Sequence, residues 1–298
     1  MSAVTVNSYF SGAGLMDVGL LSAGIVINEA FELDKDACKT YRHNIGDHIK
    51  HCDLAEQLVL EQDTCDGMIF TYPCNSYSTI ADIHEKRTGD ELFLHALRHL
   101  AVAQPEFFCC ENVPGMMKFP VVMEAMTQLK NYYVTVFCPV KSEQWLPQRR
   151  DRLIIIGTRK HFNVRPPKST TRIKLSDIVE PDPQVTLPGS IRSRMTGKYR
   201  DKPIISDPLK DDIAPTAVSH YAKDKSTRLI ADKRFPMGVR PYTVREYARL
   251  QGVPEWFEFK SSNTEAFRQI GNGVSIPVAA WVGNEMKRYM ATNTLAAA

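Results

Sequence analysis

The chain lacks any run of about 18 apolar residues, so a membrane-spanning helix is not expected. It also lacks a basic stretch followed by an apolar one at its start, so it is read as a cytoplasmic protein. No CxxC spacing occurs among the seven cysteines, Cys38, Cys52, Cys65, Cys74, Cys109, Cys110 and Cys138, and their number is odd. A disulfide framework and a tetrahedral zinc site therefore lose their support, and no metal is expected. Most of these thiols suit small core positions, and one suits a nucleophile. No internal repeat is visible, which leaves a repeat array without a basis.

What is present is an ordinary globular composition, 43% apolar and 24% charged. With 298 residues the chain can form one large domain or two parts sharing a core. The net charge of +3 conceals an asymmetry. Residues 1–139 hold nine basic and 18 acidic side chains, a net of −9, whereas residues 140–240 hold 22 and 11, a net of +11. A basic segment set on an acidic part is the electrostatic footprint of a nucleic-acid surface, although solvated lysines on loops give the same count.

The first half alternates strand-like and helix-like stretches. "AVTVNSYF", "IVINEAFEL", "HIKHCDL", "DGMIFTY", "PEFFCCENV", "YYVTVFCPV" and "DRLIIIGTR" read as strands. "LMDVGLLSAG", the aspartate-capped "DKDACKTYRHNI" and "GDELFLHALRHLAVAQ" read as helices. The alternation implies an α/β fold with a doubly wound, mostly parallel sheet. From Phe162 to Pro241 the pattern gives way to Pro, Ser, Thr, Lys and Arg, too long for a simple loop, so a small irregular second lobe is expected. Helical spacing returns at "TVREYARLQGVPEWF", and "FRQIGNGVSIPVAAWVGNEMKRYM" predicts a turn and a long apolar helix. The closing "LAAA" reads as a disordered end.

Several residues with chemical potential fall at strand ends. "FSGAG" (Phe10–Gly14) joins the first strand to the first helix, where glycines allow close approach of a ligand to the backbone. Glu32, at the end of the second strand, suits a ribose diol, and Asp53, after the third, suits an adenine amino group. This layout fits NAD or S-adenosylmethionine equally. Pro73-Cys74 follows the fourth strand, where a thiolate could attack a substrate. Glu111 ends the fifth strand, and taken by itself it is more simply an N-cap or a buried ion-pair partner. In "QRRDR", Arg150 and Arg152 lie two apart on a strand, so both guanidiniums can point into one site; an exposed basic edge is the plainer alternative.

Phe10–Gly14, Glu32, Pro73-Cys74, Glu111-Asn112-Val113, Gln148-x-Arg150-x-Arg152, "REYARLQGVP" and "QIGNGVSIPV" occur in that order. Together they resemble the C5-cytosine DNA methyltransferase family, over nearly the full chain except about 165–240. The resemblance implies the S-adenosylmethionine-dependent methyltransferase fold, with a catalytic and cofactor-binding part at 1–162 and a target-recognition region at 163–243. C-terminal motifs would follow at 244–298, the last helix packing back on the catalytic part. It implies methyl transfer from S-adenosylmethionine to C5 of a flipped-out cytosine, through a covalent bond between Cys74 and C6. Glu111 would act on N3, Arg152 near O2, and Arg150 near the thiolate or a phosphate. Phe10, Gly12, Gly14 and Pro73 would hold the cofactor, with Glu32 on the ribose, Asp53 and Leu92 on the adenine, and Asn272 at the methionine moiety.

The segment after Cys74 would be a mobile loop closing on the flipped base, and Asn75, Ser78, Lys86 and Arg87 are placed on DNA. Arg192, Arg194 and Lys198 in "SIRSRMTGK" are placed there too, for base and phosphate contacts. The implied partners are double-stranded DNA and a cognate restriction endonuclease, and the implied state is a nucleoid-associated monomer on DNA.

Three positions depart from the family pattern. Leu15 replaces a second glycine, Asn75 replaces the usual glutamine, and Tyr77 replaces a phenylalanine. Some animal members also read Pro-Cys-Asn, so Asn75 is compatible with activity. The transfer-RNA branch carries Cys-Phe-Thr in its target region, and this chain has no cysteine after Cys138. A silent cofactor-binding protein would have no need of Cys74, Glu111 and both arginines together. An NAD oxidoreductase leaves "PCN", "ENV" and "QRRDR" unexplained.

Overall fold

The strand-like runs identified above form one sheet in a computed structural model that describes residues 3–57, 65–73, 91–198, 200–201 and 204–297. Its strands are β1 (Thr5–Tyr9), β2 (Val26–Glu32), β3 (Ile49–His51), β4 (Gly67–Phe70), β5 (Phe107–Asn112), β6 (Tyr133–Lys141) and β7 (Asp151–Thr158). The sheet order is β3-β2-β1-β4-β5-β7-β6, with parallel pairing from β3 through to β5. Order reverses at β1, whose neighbours are β2 and β4, so the carboxyl ends of β1 and β4 flank a switch point where ligands of such sheets bind. β7 runs antiparallel to β5, pairing Glu111 with Ile154 and Asn112 with Leu153. Its beginning therefore lies at the same edge as the ends of the parallel strands.

The chain divides into two compact units. The first comprises Met1–Val140, Asp151–Pro167 and Val278–Ala298; the second comprises Lys141–Arg150 and Lys168–Pro277.

In the first unit, every residue of β5 is buried, as expected of a strand covered on both faces. Phe108 and Cys110 join a core with Tyr9, Phe70, Leu153 and Ile155, completed by α3 (Glu91–Ala103) and α4 (Pro120–Thr127). Phe107, on the opposite face, meets Tyr289 of the C-terminal helix Ile276–Ala297 edge-on, with ring centroids 6.4 Å apart. That helix continues through the closing alanines to Ala297, where a disordered end was expected. The helix α1 (Leu15–Ser22) begins directly at Leu15, which is buried, so the departure from a second glycine serves the core. Asp34 caps α2 (Lys35–Asn44) by accepting from Ala37 N.

The second unit is more ordered than its composition implies. It carries a three-stranded sheet formed by segments Ile204–Ser206, Arg228–Ala231 and Val239–Pro241. It also carries α5 (Ser190–Thr196), α6 (Val244–Arg249) and α7 (Asn263–Asn272). Arg240 is fully buried, makes a two-pronged contact with Glu246 at 2.7 Å each, and reaches Asp232 at 2.8 Å. Glu246 in turn closes a capping box with Thr243 at the start of α6.

Candidate active site

The loop after β1 turns sharply. Phe10 has φ 62, Gly12 has φ 58 and Gly14 has φ 90, all in the left-handed region that favours glycine. Phe10 tolerates it because its neighbours hold it: Thr71 Oγ1 donates to Phe10 O at 2.9 Å, and Tyr72 packs edge-on against its ring. Gly12 N donates to Glu32 Oε2 at 2.8 Å, while Asp34 N donates to Oε1 at 2.8 Å. Burial pushes the Glu32 carboxyl above its ordinary value, against the pull of these two N–H groups. A side chain at Gly12 would meet no atom within 4 Å, so the backbone there faces open space. A glycine turn open on one side and closed by a carboxylate is a fitting cradle for the ribose and methionine of S-adenosylmethionine. Asp53 uses Oδ1 to accept from Ala55 N at 2.8 Å, which shapes the turn after β3. Leu92, half-buried at the start of α3, packs against the core that contains Tyr9 and Phe31.

Beneath this loop lies a polar chain that the sequence reading missed. Ser8 Oγ donates to Asp17 Oδ1 at 2.7 Å and Tyr41 OH to Oδ2 at 2.8 Å, with His48 Nε2 3.0 Å from the same hydroxyl. Burial pushes the Asp17 carboxyl up to about 6. The one signal was an aspartate inside the apolar "LMDVGLL".

At the next strand ends, Arg152 Nε stands 2.8 Å from Glu111 Oε1, and both side chains are nearly buried. The antiparallel course of β7 makes this pair: it brings the first turn of one strand to the last residues of β5. Asn112 Nδ2 donates to Tyr72 O at 3.3 Å, and its Oδ1 accepts from Val113 N at 2.9 Å. Tyr72 also donates through its hydroxyl to Met116 Sδ at 3.4 Å. The backbone entering Pro73 is thus tied to β5, a function of Asn112 that was not assigned from the sequence. Pro73 itself is exposed. Cys74, Asn75, Ser78, Lys86 and Arg87 lie outside the described residues.

Arg150 departs from expectation. The residue is 1% exposed, and its guanidinium donates to Ala217 O at 2.8 Å, Gly271 O at 3.0 Å and Gly273 O at 2.7 Å. The alternation argument required strand geometry, but β7 begins only at Asp151. Gln148, two residues earlier, is likewise buried, donating to Leu250 O at 2.7 Å and accepting from Ala217 N at 2.8 Å.

A model of the family described as C-5 cytosine-specific DNA methylase matches residues 4–288. The chain belongs to that family. It is a DNA cytosine-5 methyltransferase that uses S-adenosylmethionine. The methylase is 30% identical to the Type II methyltransferase M.NgoFVII of Neisseria gonorrhoeae, over 90% of this chain and 82% of that one. It is 27% identical to the Type II methyltransferase M.FnuDI of Fusobacterium nucleatum, over 95% and 94%. Among solved structures it resembles the Entamoeba histolytica methyltransferase EhMeth with a TM-score of 0.80 at 16% identity, covering 97% of this chain and 99% of that one. The S. pombe Dnmt2 methyltransferase gives 0.76 at 18% identity, covering 97% and 99%. These structural likenesses establish the fold. Among the described residues of the methylase, no helix is long and apolar enough to cross a membrane.

In the methylase's second unit, the residues placed on DNA separate into two kinds. Ile191 of α5 is buried with Leu229 and Val239, which turns Arg192 outward. Arg192 is exposed, and its side chain has no partner among the described residues. Lys198 is exposed as well. Arg194 is not presented in this way: Nε donates to Ser226 Oγ at 2.7 Å and Nη2 pairs with Asp224. It faces inward because a residue three positions after Ile191 lies on the same helical side. Its contacts fasten α5 to the turn at 224–226.

Proposed function

We propose that the methyl transfer is carried out by Cys74, Glu111 and Arg152. Carbon C5 of cytosine is a weak nucleophile until its ring is made electron-rich. Addition of the Cys74 thiolate to C6 forms an S–C6 bond, and N3 takes up a proton from Glu111, so that C5 becomes an enamine carbon. Arg152 holds Glu111 in place and its charge favours the electron density that collects on the ring, near O2. S-adenosylmethionine supplies the methyl group from a sulfonium centre. C5 then loses its proton to solvent, the electrons of that C–H bond form the C5–C6 double bond and expel the Cys74 thiolate from C6, and N3 returns its proton to Glu111, so that aromaticity returns. The stacked duplex would block the thiolate's approach, so the target cytosine is extruded first.

The observation that carries this reading is the Glu111–Arg152 pair at 2.8 Å beside the backbone that leads into Cys74. Phe10, Gly12, Gly14, Pro73 and Glu32 are assigned to the methyl donor, with Asp53 and Leu92 on its adenine. Asn272 is assigned to its methionine moiety. Residues 163–243 are assigned to target recognition. The Type II names of the relatives support a modification enzyme. It is assigned to double-stranded DNA as a monomer, in the cytoplasm, alongside a cognate endonuclease.

The test uses duplexes carrying 5-fluorocytosine in many contexts, with S-adenosylmethionine and denaturing mass analysis. Fluorine cannot leave C5 as a proton does, so methyl transfer traps the adduct. A DNA adduct on Cys74, absent in Cys74→Ser, is the expected result. An adduct on fluorinated RNA alone would move the acceptor to RNA, and none on either would remove the assignment of Cys74.

A further inference from the structure

Asn272 is exposed at the last position of α7, and its side chain has no hydrogen bond among the described residues. Its direction is therefore set by its backbone. The last carbonyls of a helix have no partner within it, and here two buried side chains supply the donors. Gln251 Nε2 donates to Ile270 O at 2.9 Å and Gly273 O at 3.2 Å. Arg150 Nη2 donates to Gly271 O at 3.0 Å and Gly273 O at 2.7 Å, so one guanidinium nitrogen brackets Asn272 from both sides. A cation at a helix C-terminus is also favoured by the helix dipole. The third donor contact, from Nη1 to Ala217 O at 2.8 Å, ties this turn to the neighbouring segment. There the backbone is so close that a Cβ on Gly271 would lie 2.2 Å from Ser219 N.

We propose that Arg150 is a positioning residue that fixes the turn presenting Asn272 to the methyl donor. The inference rests on the assignment of Asn272 to the donor made above. Through the carbonyls that Nη1 and Nη2 hold, Arg150 acts on cofactor affinity by way of Asn272.

The experiment uses the full chain and S-adenosylhomocysteine, with calorimetry in the absence of DNA. Arg150→Lys keeps the charge but cannot bridge two carbonyls in the same plane, so binding weakens by about tenfold, as does binding to Asn272→Ala. The double variant binds no more weakly than the poorer single variant, because both changes break one linkage. At saturating donor, the pH profile of the adduct-forming rate keeps its shape. Wild-type affinity in Arg150→Lys with weakened affinity in Asn272→Ala overturns the inference alone. Multiplying factors in the double variant do the same, and so does a shifted pH profile with intact affinity, which would return Arg150 to the thiolate. Wild-type affinity in Asn272→Ala removes the assignment of Asn272 and the inference with it. Should Arg150→Lys fail to fold, Gln251→Met removes the other donor to the same turn and is read in the same way.

Discussion

Glu111 and Arg152 have side-chain exposures of only 9% and 12%, so each is the other's main compensation for leaving water. Glu111→Gln keeps the shape but supplies neither a carboxylate for Arg152 nor an acid for N3. Single-turnover methylation should fall by about 10²–10³-fold, the range for losing one well-placed stabilising group. S-adenosylhomocysteine binding should hardly change; an equal loss in binding would mean that the residue shapes the cofactor cradle instead. Asp17 makes a prediction of another kind. Its folded value of about 6 exceeds the unfolded value of 3.8, so ionisation opposes folding above pH 6 and the penalty fades as pH falls towards 4. Over that window the wild type should gain up to about 3 kcal/mol on Asp17→Asn, measured by urea unfolding at a series of pH values. A difference independent of pH would show that the Asp17 carboxyl titrates alike in the folded and the unfolded chain.

At the scale of elements, Gly271 is where the end of α7 meets residues 218–219. Because the blocking atoms are backbone, Gly271→Ala cannot be relieved by a rotamer change, and it should lower stability by about 1–3 kcal/mol. A thermal melt no different from wild type would show that the turn has room to shift. The sequence disclosed the seven strands because their apolar runs are short and punctuated, and β5 because it is apolar without alternation. It did not disclose the antiparallel course of β7, since pairing direction leaves no mark on a strand whose last six residues are all buried. The Glu111–Arg152 pair depends on that direction, so its residues were legible but its cause was not. The alternation argument for Arg150 failed for a related reason: being two residues from Arg152 means sharing a face only inside a strand, and β7 begins at Asp151. The Arg240–Glu246 pair was missed because its members are ordinary surface types, and only burial reveals their linkage. Removing one partner by Glu246→Gln should cost about 3–5 kcal/mol, seen as a lowered urea midpoint, and a change within error would mean that Asp232 alone suffices for Arg240.

At the scale of the whole molecule, the +11 charge of residues 140–240 overstates what is available to DNA. At least eight of those 22 cations, among them Arg172, Arg194, Arg234 and Arg240, pair with carboxylates of the chain itself, and Arg150 is buried on carbonyls. A paired arginine releases few counterions on binding, because its charge is already balanced. The salt dependence of duplex binding should therefore be shallower than the basic count suggests, and it should resolve the two arginines of α5. Arg192→Ala should reduce the slope of log K against log salt by about 0.9, the value for one phosphate contact, with the fold unchanged. Arg194→Ala should lower thermal stability by freeing α5 from Asp224 and Ser226, and weaken binding at every salt concentration without that loss of slope. If Arg194→Ala instead lowers the slope by the same amount at unchanged stability, Arg194 leaves Asp224 for a phosphate when DNA arrives. The residue would then belong to the interface and not to its support.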